Sequence, residues 1–335
     1  MKKIWRCIYI ILVDICCKSC FNRGIYMDIS TKHKSVKSND YWDNLTSGTT
    51  SQYKEKIIED LIISHFPSSC KSILDIGCGT CNTALKYKKK LNANEVTFLD
   101  YDENVIAKLK KENDDKKGIN WIVADIFMIR KMDEKYDLVF FLDMLHEVYS
   151  FFGRGNTDLE KEVNHNIGIS YVIKALENVS QLVNSGGGII ITDDILCSED
   201  FDICLRVKND RANKCIKYFF NHYMSKKIRY NFIKKDMVII NSKDLCILLT
   251  QYNKIKSDDL ERWNVEKHEI HQYMTIEQYR ETLNNLGFTT YEVMGTPKPA
   301  YDEWHEDFEI ISGLTDFPKK RITLLAIKNK PVILP

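Results

Sequence analysis

The order of apolar and polar positions predicts strands and helices that alternate along residues 54–195. Short apolar runs such as "YDLVFFLDML" are typical of strands buried on both faces, and segments such as "ENVIAKLKKEN" carry apolar residues at helical spacing. This alternation predicts a parallel sheet with right-handed crossovers. The predicted strands are 72–76, 95–99, 120–123, "YDLVFFLDML" and "SGGGIIITDDI", and the predicted helices are 54–66, 83–91, "ENVIAKLKKEN" and 169–182.

The alternation stops at residues 196–274 and then returns. "TIEQYRETLNNLGF" predicts a helix with Thr275 as its N-cap and Gly287 as its stop, and "TTYEVMG" and "RITLLAIKN" predict the last two strands. Residues 196–274 are therefore expected to be an insertion, mainly helical, that acts as a cap over the substrate. The remaining core is predicted as residues 67–195 and 275–330, preceded by an N-terminal helical segment at 27–66.

The first 26 residues are expected to lie outside the fold. "MKKIWRCIYIILVDICC" has a basic start and an apolar run, but the run is shorter than the ~20 apolar residues of a membrane span. A start site assigned too far upstream is the preferred interpretation because Met27 opens an ordinary polar segment. A leader that tethers the chain to a membrane is the alternative.

Composition excludes few classes of partner. The 335 residues are 44% hydrophobic and carry a net charge of +1, so no overall charge indicates nucleic acid or membrane. The eleven cysteines are scattered without paired metal spacing. A reducing, cytoplasmic location is expected.

The insertion is strongly polarised in charge. Residues 205–243 hold eleven Lys or Arg against two Asp, whereas residues 258–309 hold thirteen acidic residues against four basic ones. The aromatic residues among the bases could grip an anionic substrate or RNA. The preferred interpretation is an amphipathic helix, because four apolar residues recur at i, i+3, i+4 and i+7. These residues are Ile216, Phe219, Phe220 and Tyr223.

A glycine turn follows the first predicted strand. Gly77 and Gly79 flank Cys78, and glycines let a backbone turn tightly and approach a ligand closely. Asp75 stands two residues before this turn, where its charge would repel a pyrophosphate. The turn therefore favours a ligand with cationic groups, such as the sulfonium or ammonium of S-adenosylmethionine.

Two more acids end the next two strands. Asp100 suits the two hydroxyls of a ribose, with Asp102 as the alternative if the strand ends later. Asp125 could accept a hydrogen bond from an adenine amino group, with Ile126 packed on the ring. Ligands of open α/β sheets bind at the carboxyl ends of the strands, where these acids would meet.

The motifs "LDIGCGT", "VTFLDYDENVI", "WIVADI" and "YDLVFFLDMLHEV" resemble those of class I S-adenosylmethionine-dependent methyltransferases. The resemblance covers residues 54–195 and about 275–328. It implies a Rossmann-like three-layer αβα fold with a mostly parallel seven-stranded sheet whose last strand is antiparallel. It also implies that Asp75 and both glycines lie by the methionine part of the cofactor. Cys81 stands where the family has a third glycine, and a larger side chain there would crowd the cofactor. The expected cofactor-binding residues are Asp75, Gly77, Cys78, Gly79, Asp100, Tyr101, Asp125, Ile126 and Asp143.

The reacting centre is expected just past the fourth strand, in "LDMLHEVYSFF". His146 is the first candidate for a general base, followed by Glu147 and Tyr149, although His146 could also only line the pocket. Asp193 and Asp194 could orient an acceptor. The three-residue spacing of two histidines, His268 and His271, could hold a metal, but no third ligand is apparent, so no metal site is expected.

The sequence predicts methyl transfer to O, N or C of a small molecule. An RNA or protein methyltransferase that docks through residues 205–243 is the second hypothesis, and a non-catalytic S-adenosylmethionine binder is the third. An NAD(P)-dependent oxidoreductase is disfavoured by Asp75. The chain lacks the Asp/Asn-Pro-Pro-Tyr/Phe and Pro-Cys segments of enzymes that methylate amino groups or cytosine C5, which argues against DNA as a partner.

Overall fold

The computed structural model describes residues 49–66, 69–155 and 159–330. The predicted leader at 1–26 and residues 27–48 of the predicted N-terminal segment lie outside these residues. Within the described part of the chain, no helix is both long and apolar enough to cross a membrane.

The first half of the chain alternates strands and helices as its sequence predicts. The elements are α1 (Thr49–His65), β1 (Ser72–Ile76), α2 (Asn82–Lys90), β2 (Glu95–Asp100), α3 (Glu103–Glu112), β3 (Ile119–Val123), a 3₁₀ turn (Ile129–Lys131), β4 (Tyr136–Leu142), α4 (Leu145–Phe152), α5 (His165–Ser180) and β5 (Val183–Asp194). After the insertion the same unit resumes with α9 (Ile276–Asn285), β9 (Phe288–Gly295) and β11 (Arg321–Lys328).

These strands form one seven-stranded sheet in the order β3-β2-β1-β4-β5-β11-β9. The pairs among β1 to β5 are parallel, whereas β11 runs antiparallel to both β5 and β9. The predicted seven-stranded sheet with an antiparallel last strand is therefore confirmed. We call it the first sheet.

Helices cover both faces of the first sheet. Successive strand residues point to opposite faces, so Phe140 of β4 packs with α1, α2 and α3 while Phe141 packs with α4 and α5. Both phenylalanines are completely buried. The predicted three-layer αβα arrangement is confirmed.

The insertion contains strands as well as helices, although helices hold more of its residues. Its role as a cap stays a prediction. Its elements are β6 (Asp202–Val207), α6 (Asp210–His222), β7 (Tyr230–Lys234), β8 (Met237–Asn241), α7 (Ser242–Lys256) and α8 (Leu260–Glu266). β10 (Phe308–Ser312), which follows α10 (Lys298–Asp307), joins them in a four-stranded antiparallel sheet of order β10-β6-β8-β7. We call it the second sheet. The sequence pattern missed it because its strands are short and half exposed, and because β10 pairs with β6 across about 100 residues.

The basic stretch of the insertion packs as an amphipathic helix, as the preferred interpretation predicts. On α6, Ile216 and Phe219 are fully buried, Tyr223 directly after it is 9% exposed, and Phe220 is partly buried against the core. The expected cap of α9 is also present: the Thr275 side chain accepts from the backbone N–H of Gln278, whose side chain bonds back to the backbone of Thr275. Gly287 follows this helix with φ of 86°.

Candidate functional site

The turn after β1 needs left-handed backbone at three positions. Gly77, Gly79 and Cys81 have φ of 67°, 51° and 58°. Glycine adopts this conformation without steric conflict, which explains the glycines of the motif. At Gly77 a Cβ would also lie 3.1 Å from the Cβ of Met144, so two chain segments approach each other closely there.

Cys81 departs from the family pattern without entering the ligand space. Its side chain is 3% exposed and packs in the hydrophobic cluster shared by α2 and α3. Its sulfur lies 3.8 Å from Nδ2 of Asn113, which follows α3. The Cys81 side chain therefore does not crowd the pocket. What the missing glycine changes is the backbone, because Cys81 has to adopt a left-handed conformation that glycine adopts more easily.

Two buried carboxyl groups and a partly buried one follow one another along the carboxyl edge of the first sheet: Asp75, Asp100 and Asp125. Burial, helped by the neighbouring Asp100, raises the pKa of Asp75 to about 8. Burial raises the pKa of Asp100 to about 7, although backbone N–H groups of Asp102 and Gly79 donate to this carboxyl group. Burial raises the pKa of Asp125 to about 6, against a hydrogen bond from the backbone N–H of Phe127. An edge of this kind favours a ligand that brings positive charge to the carboxylates.

A pocket opens along this edge. Five of the nine predicted cofactor residues line it: Gly77, Asp100, Tyr101, Asp125 and Ile126. The sequence did not single out the apolar part of the wall, whose members come from strand ends and from α4. The further lining residues are Ile76, Leu99, Ala124, Met144, Glu147, Val148, Phe151 and Phe152.

The other predicted cofactor residues lie beside the pocket. Asp75, Cys78 and Gly79 belong to its supporting turn, with Asp75 and Cys78 buried. Asp143 has φ of 55° and makes ion pairs with Lys54 and Arg321. Burial alone would raise the pKa of Asp143, but these two cations outweigh it and hold the pKa far below its usual range. Binding of the cofactor by Asp143 stays a prediction.

The three predicted catalytic side chains, those of Glu147, Tyr149 and His146, lie in three different surroundings. Glu147 lines the pocket, where its charge helps to raise the pKa of Asp100. Tyr149 is 3% exposed and its hydroxyl lies 3.0 Å from Nδ1 of His165, so it belongs to the packing between α4 and α5. His146 faces the end of β5 and the insertion.

Asp193 contacts His146 at two points, one on the imidazole and one on the backbone. Its Oδ1 lies 2.8 Å from Nδ1 of His146, and its Oδ2 accepts from the backbone N–H of His146 at 3.1 Å. The hydroxyl of Tyr273 donates to the same Oδ2, also at 3.1 Å. Burial lowers the pKa of His146, but the carboxylates of Asp193 and Glu269 outweigh it and raise the pKa well above its ordinary value.

The insertion places a second histidine, His271, against the ring of His146. The rings of His146 and His271 stack with centroids 4.1 Å apart, and Nε2 of His271 lies 2.5 Å from Oε2 of Glu266. His268 points elsewhere, with Nδ1 3.1 Å from the carbonyl oxygen of Leu159. The second predicted acid at the end of β5, Asp194, accepts from Arg321 at 2.8 Å.

The comparisons with known proteins agree with this architecture. Residues 73–151 match a family model described as a methyltransferase domain. The malonyl-[acyl-carrier protein] O-methyltransferase 2 of Ilyobacter polytropus is 36% identical over 69 residues, which are 21% of this chain and 26% of that protein. The chain thus matches about a quarter of the length of this curated relative.

The solved structures to which the chain is similar have low sequence identity and TM-scores below 0.5. The N-methyltransferase NodS of Bradyrhizobium japonicum, in complex with S-adenosyl-L-homocysteine, is 10% identical with a TM-score of 0.43 over 90% of this chain and 98% of its own. An S-adenosylmethionine-dependent methyltransferase of Clostridium acetobutylicum is 14% identical with a TM-score of 0.43 over 83% and 91%.

The family match covers β1 to β4 and the glycine turn, which are the elements that build the pocket. The strand order and the antiparallel β11 agree with the fold that the sequence resemblance implies. Residues 73–151 therefore match a methyltransferase domain, and the cofactor of the class that the sequence resembles is S-adenosylmethionine.

Proposed function

We propose that this chain is an enzyme that transfers the methyl group of S-adenosylmethionine to O, N or C of a small molecule. The cofactor occupies the pocket at the carboxyl edge of β1, β2 and β3. The acceptor lies between the ends of β4 and β5 and the insertion.

The arrangement of three carboxyl groups around the glycine turn carries the proposal. Asp75, Asp100 and Asp125 are buried or nearly buried at three adjacent strand ends. Their position matches the ammonium, ribose and adenine parts of S-adenosylmethionine, in the order that the family resemblance implies. A pyrophosphate would meet the same carboxylates with unfavourable charge, which argues against a dinucleotide.

The acceptor side favours a small molecule over RNA. His146 and Glu269 are 5% and 3% exposed, so an acceptor has to enter a narrow site to reach them. Base stacking needs exposed aromatic side chains, whereas Phe219 and Tyr223 of the basic stretch are buried in the core. Tyr230 of the same stretch is 41% exposed, but its ring is stacked on that of Phe220.

Methyl transfer is an in-line displacement at an activated carbon, so the protein mainly aligns acceptor and methyl group and keeps water out. Such positioning contributes up to about 7–11 kcal/mol in favourable cases. His146, fixed by Asp193, is the polar group of the predicted catalytic set that faces the acceptor side. We assign it to holding the acceptor.

The test is to follow the methyl group. Purified chain is incubated with S-adenosylmethionine labelled in its methyl carbon and with extract separated into small-molecule, RNA and protein fractions. We expect label in the small-molecule fraction, and much less of it at a limiting cofactor concentration when Asp100→Asn replaces the native chain.

Label that enters RNA or protein instead would establish the second hypothesis. Cofactor binding without transfer to any fraction would favour a non-catalytic binder. Asp102→Asn is the matched control, because it makes the same chemical change two residues away from the pocket wall.

A further inference from the structure

The carboxylate of Asp193 has a partner for each of its lone pairs. Its Oδ1 lies 2.8 Å from Nδ1 of His146 and accepts from the backbone N–H of Asp194 at 2.9 Å. Its Oδ2 accepts from the backbone N–H of His146 and from the hydroxyl of Tyr273, each at 3.1 Å. Two carboxylate oxygens offer about four acceptor sites, so these contacts fill them. Asp193 can therefore act on an acceptor molecule only through His146.

This arrangement fixes the proton and the orientation of the imidazole. An ionised carboxylate only accepts hydrogen bonds, so Nδ1 of His146 has to be the donor toward Asp193. Nε2 lies on the other side of the ring and faces the insertion, where Oε2 of Glu269 is 3.6 Å from it. The contacts of Asp193 thus orient the side of the ring that the proposed function assigns to the acceptor.

Tyr273 is held in turn by a second tyrosine. The hydroxyl of Tyr279 donates to that of Tyr273 at 2.6 Å, and both side chains are completely buried. The Tyr273 ring is stacked on that of Tyr149, with centroids 5.1 Å apart and planes 23° from parallel. A hydroxyl has one proton to donate, and that of Tyr273 goes to Asp193. Both hydroxyl protons therefore point toward the carboxylate that holds His146.

Packing alone does not explain these two hydroxyl groups. Phenylalanine would fill nearly the same space without a polar atom, and a buried hydroxyl is costly unless it is hydrogen-bonded. The hydrogen bonds also link four segments of the chain, because Tyr279 lies on α9, Tyr273 before this helix, Asp193 at the end of β5 and His146 on α4. They connect the insertion to the carboxyl edge of the first sheet.

We propose that Tyr273 is a positioning residue of this site: its hydroxyl, oriented by that of Tyr279, fixes Asp193 and through it the imidazole of His146. The effect on methyl transfer rests on the proposed function, because it depends on His146 holding the acceptor. The effect on the orientation of the ring does not. The sequence offered no sign of this role, since Tyr273 is 80 positions from Asp193.

The first measurement follows the ring of His146 by NMR and needs no acceptor. In the full chain with isotopically labelled histidine, the Nδ1 proton bonded to Asp193 should give a downfield signal that exchanges slowly with water, because both side chains are buried. Its loss in His146→Gln identifies it. Tyr273→Phe removes one of the four partners of Asp193, so the signal should shift and exchange faster. Tyr279→Phe should act in the same direction but less, because Tyr273 keeps its bond to Asp193.

The second measurement is the rate of methyl transfer, at saturating S-adenosylmethionine, to the small-molecule fraction that accepts label. Tyr273→Phe should lower this rate roughly 10- to 100-fold, because a displacement of about 1 Å in a positioned group can cost about 100-fold. The affinity for S-adenosylmethionine should stay that of the native chain, since other residues line the cofactor pocket.

Tyr252→Phe is the matched control. Tyr252 on α7 is also completely buried, and its hydroxyl donates to the buried carboxylate of Asp307 at 2.8 Å. The variant therefore loses the same kind of hydrogen bond at another place, and it should change neither the His146 signal nor the rate. Thermal unfolding shows whether each variant is folded.

An unchanged His146 signal in Tyr273→Phe would overturn the proposal. An equal change in Tyr252→Phe would also overturn it, because the effect would then be a general loosening of the chain. A shifted signal with an unchanged rate would contradict the effect of Tyr273 on methyl transfer. If the native chain transfers no methyl group to any fraction, the proposed function is contradicted, and the His146 signal still decides whether Tyr273 positions the ring.

Discussion

The two sheets of this protein are built on different patterns of burial. In β4 of the first sheet, four consecutive residues from Leu138 to Phe141 are completely buried. In β6 of the second sheet, buried Ile203 and Leu205 alternate with partly exposed Cys204 and Arg206. The first sheet is covered on both faces, whereas the second has one face toward the core and one toward solvent.

This difference explains which parts of the fold the sequence could predict. A continuous apolar run of strand length between glycine-rich turns predicts a buried parallel strand directly. The second sheet offers only short alternations, and β10 begins directly after α10 without a turn residue to separate them. β10 pairs with β6 across about 100 residues, which no local pattern records, although β7 and β8 form a local hairpin.

The most disruptive change is to truncate adjacent residues of one strand. Phe140→Ala and Phe141→Ala should each lower the free energy of unfolding by about 3–5 kcal/mol, because both faces of β4 are buried. In β6, Leu205→Ala should cost about 2–5 kcal/mol. Arg206→Ala should cost less than about 1 kcal/mol, since it loses only an exposed ion pair with Glu309. Urea unfolding of the four variants measures these values.

Equal losses at Leu205 and Arg206 would show that the second sheet is covered on both faces. A small loss at either phenylalanine would show that one face of β4 is open. Either result would remove the contrast between the two sheets.

A smaller effect is expected from pH, and it concerns the first sheet alone. Burial raises the pKa values of Asp75, Asp100 and Asp125 to about 8, about 7 and about 6, above those of the unfolded chain. The folded chain without ligand therefore binds more protons, and these groups make it less stable as pH rises from about 4 to about 8. S-adenosylmethionine brings positive charge and favours the ionised carboxylates.

The increase in Tm caused by S-adenosylmethionine should accordingly be larger at about pH 8 than at about pH 6. One proton displaced on binding changes the binding free energy by about 1.4 kcal/mol per pH unit. Differential scanning fluorimetry at both pH values gives the comparison, with Asp102→Asn as the control. The same increase at both pH values would mean that these carboxyl groups do not change protonation when the cofactor binds.

The smallest effect is expected at the point where the insertion returns to the first sheet. Thr275→Ala removes the cap of α9 and should lower the free energy of unfolding by about 1 kcal/mol. Thr275→Ser keeps the capping hydroxyl and should lose much less. Equal losses in the two variants would assign the effect to the methyl group of Thr275, and urea unfolding separates the outcomes.

The candidate site was predictable to the extent that it is local. Asp100 and Asp125 follow recognisable strands, so their meeting at one edge follows from the parallel sheet. The pairing of Asp143 with Arg321 was not predictable, since the two residues are 178 positions apart. The same holds for the approach of Glu269 and His271 to His146, which depends on how the insertion packs.

The most direct test of the account is calorimetric titration of the chain with S-adenosylmethionine, in the native form and as Asp100→Asn and Asp102→Asn. Asp100 lines the pocket, whereas the Asp102 side chain caps α3 by accepting from the backbone N–H of Asn104. Hydrogen bonds to a charged group contribute about 1.5–3 kcal/mol, so Asp100→Asn should weaken binding by roughly 10- to 150-fold. Asn is as good an N-cap as Asp, so Asp102→Asn should bind like the native chain. Absence of binding to the native chain, or equal binding by all three, would contradict the account.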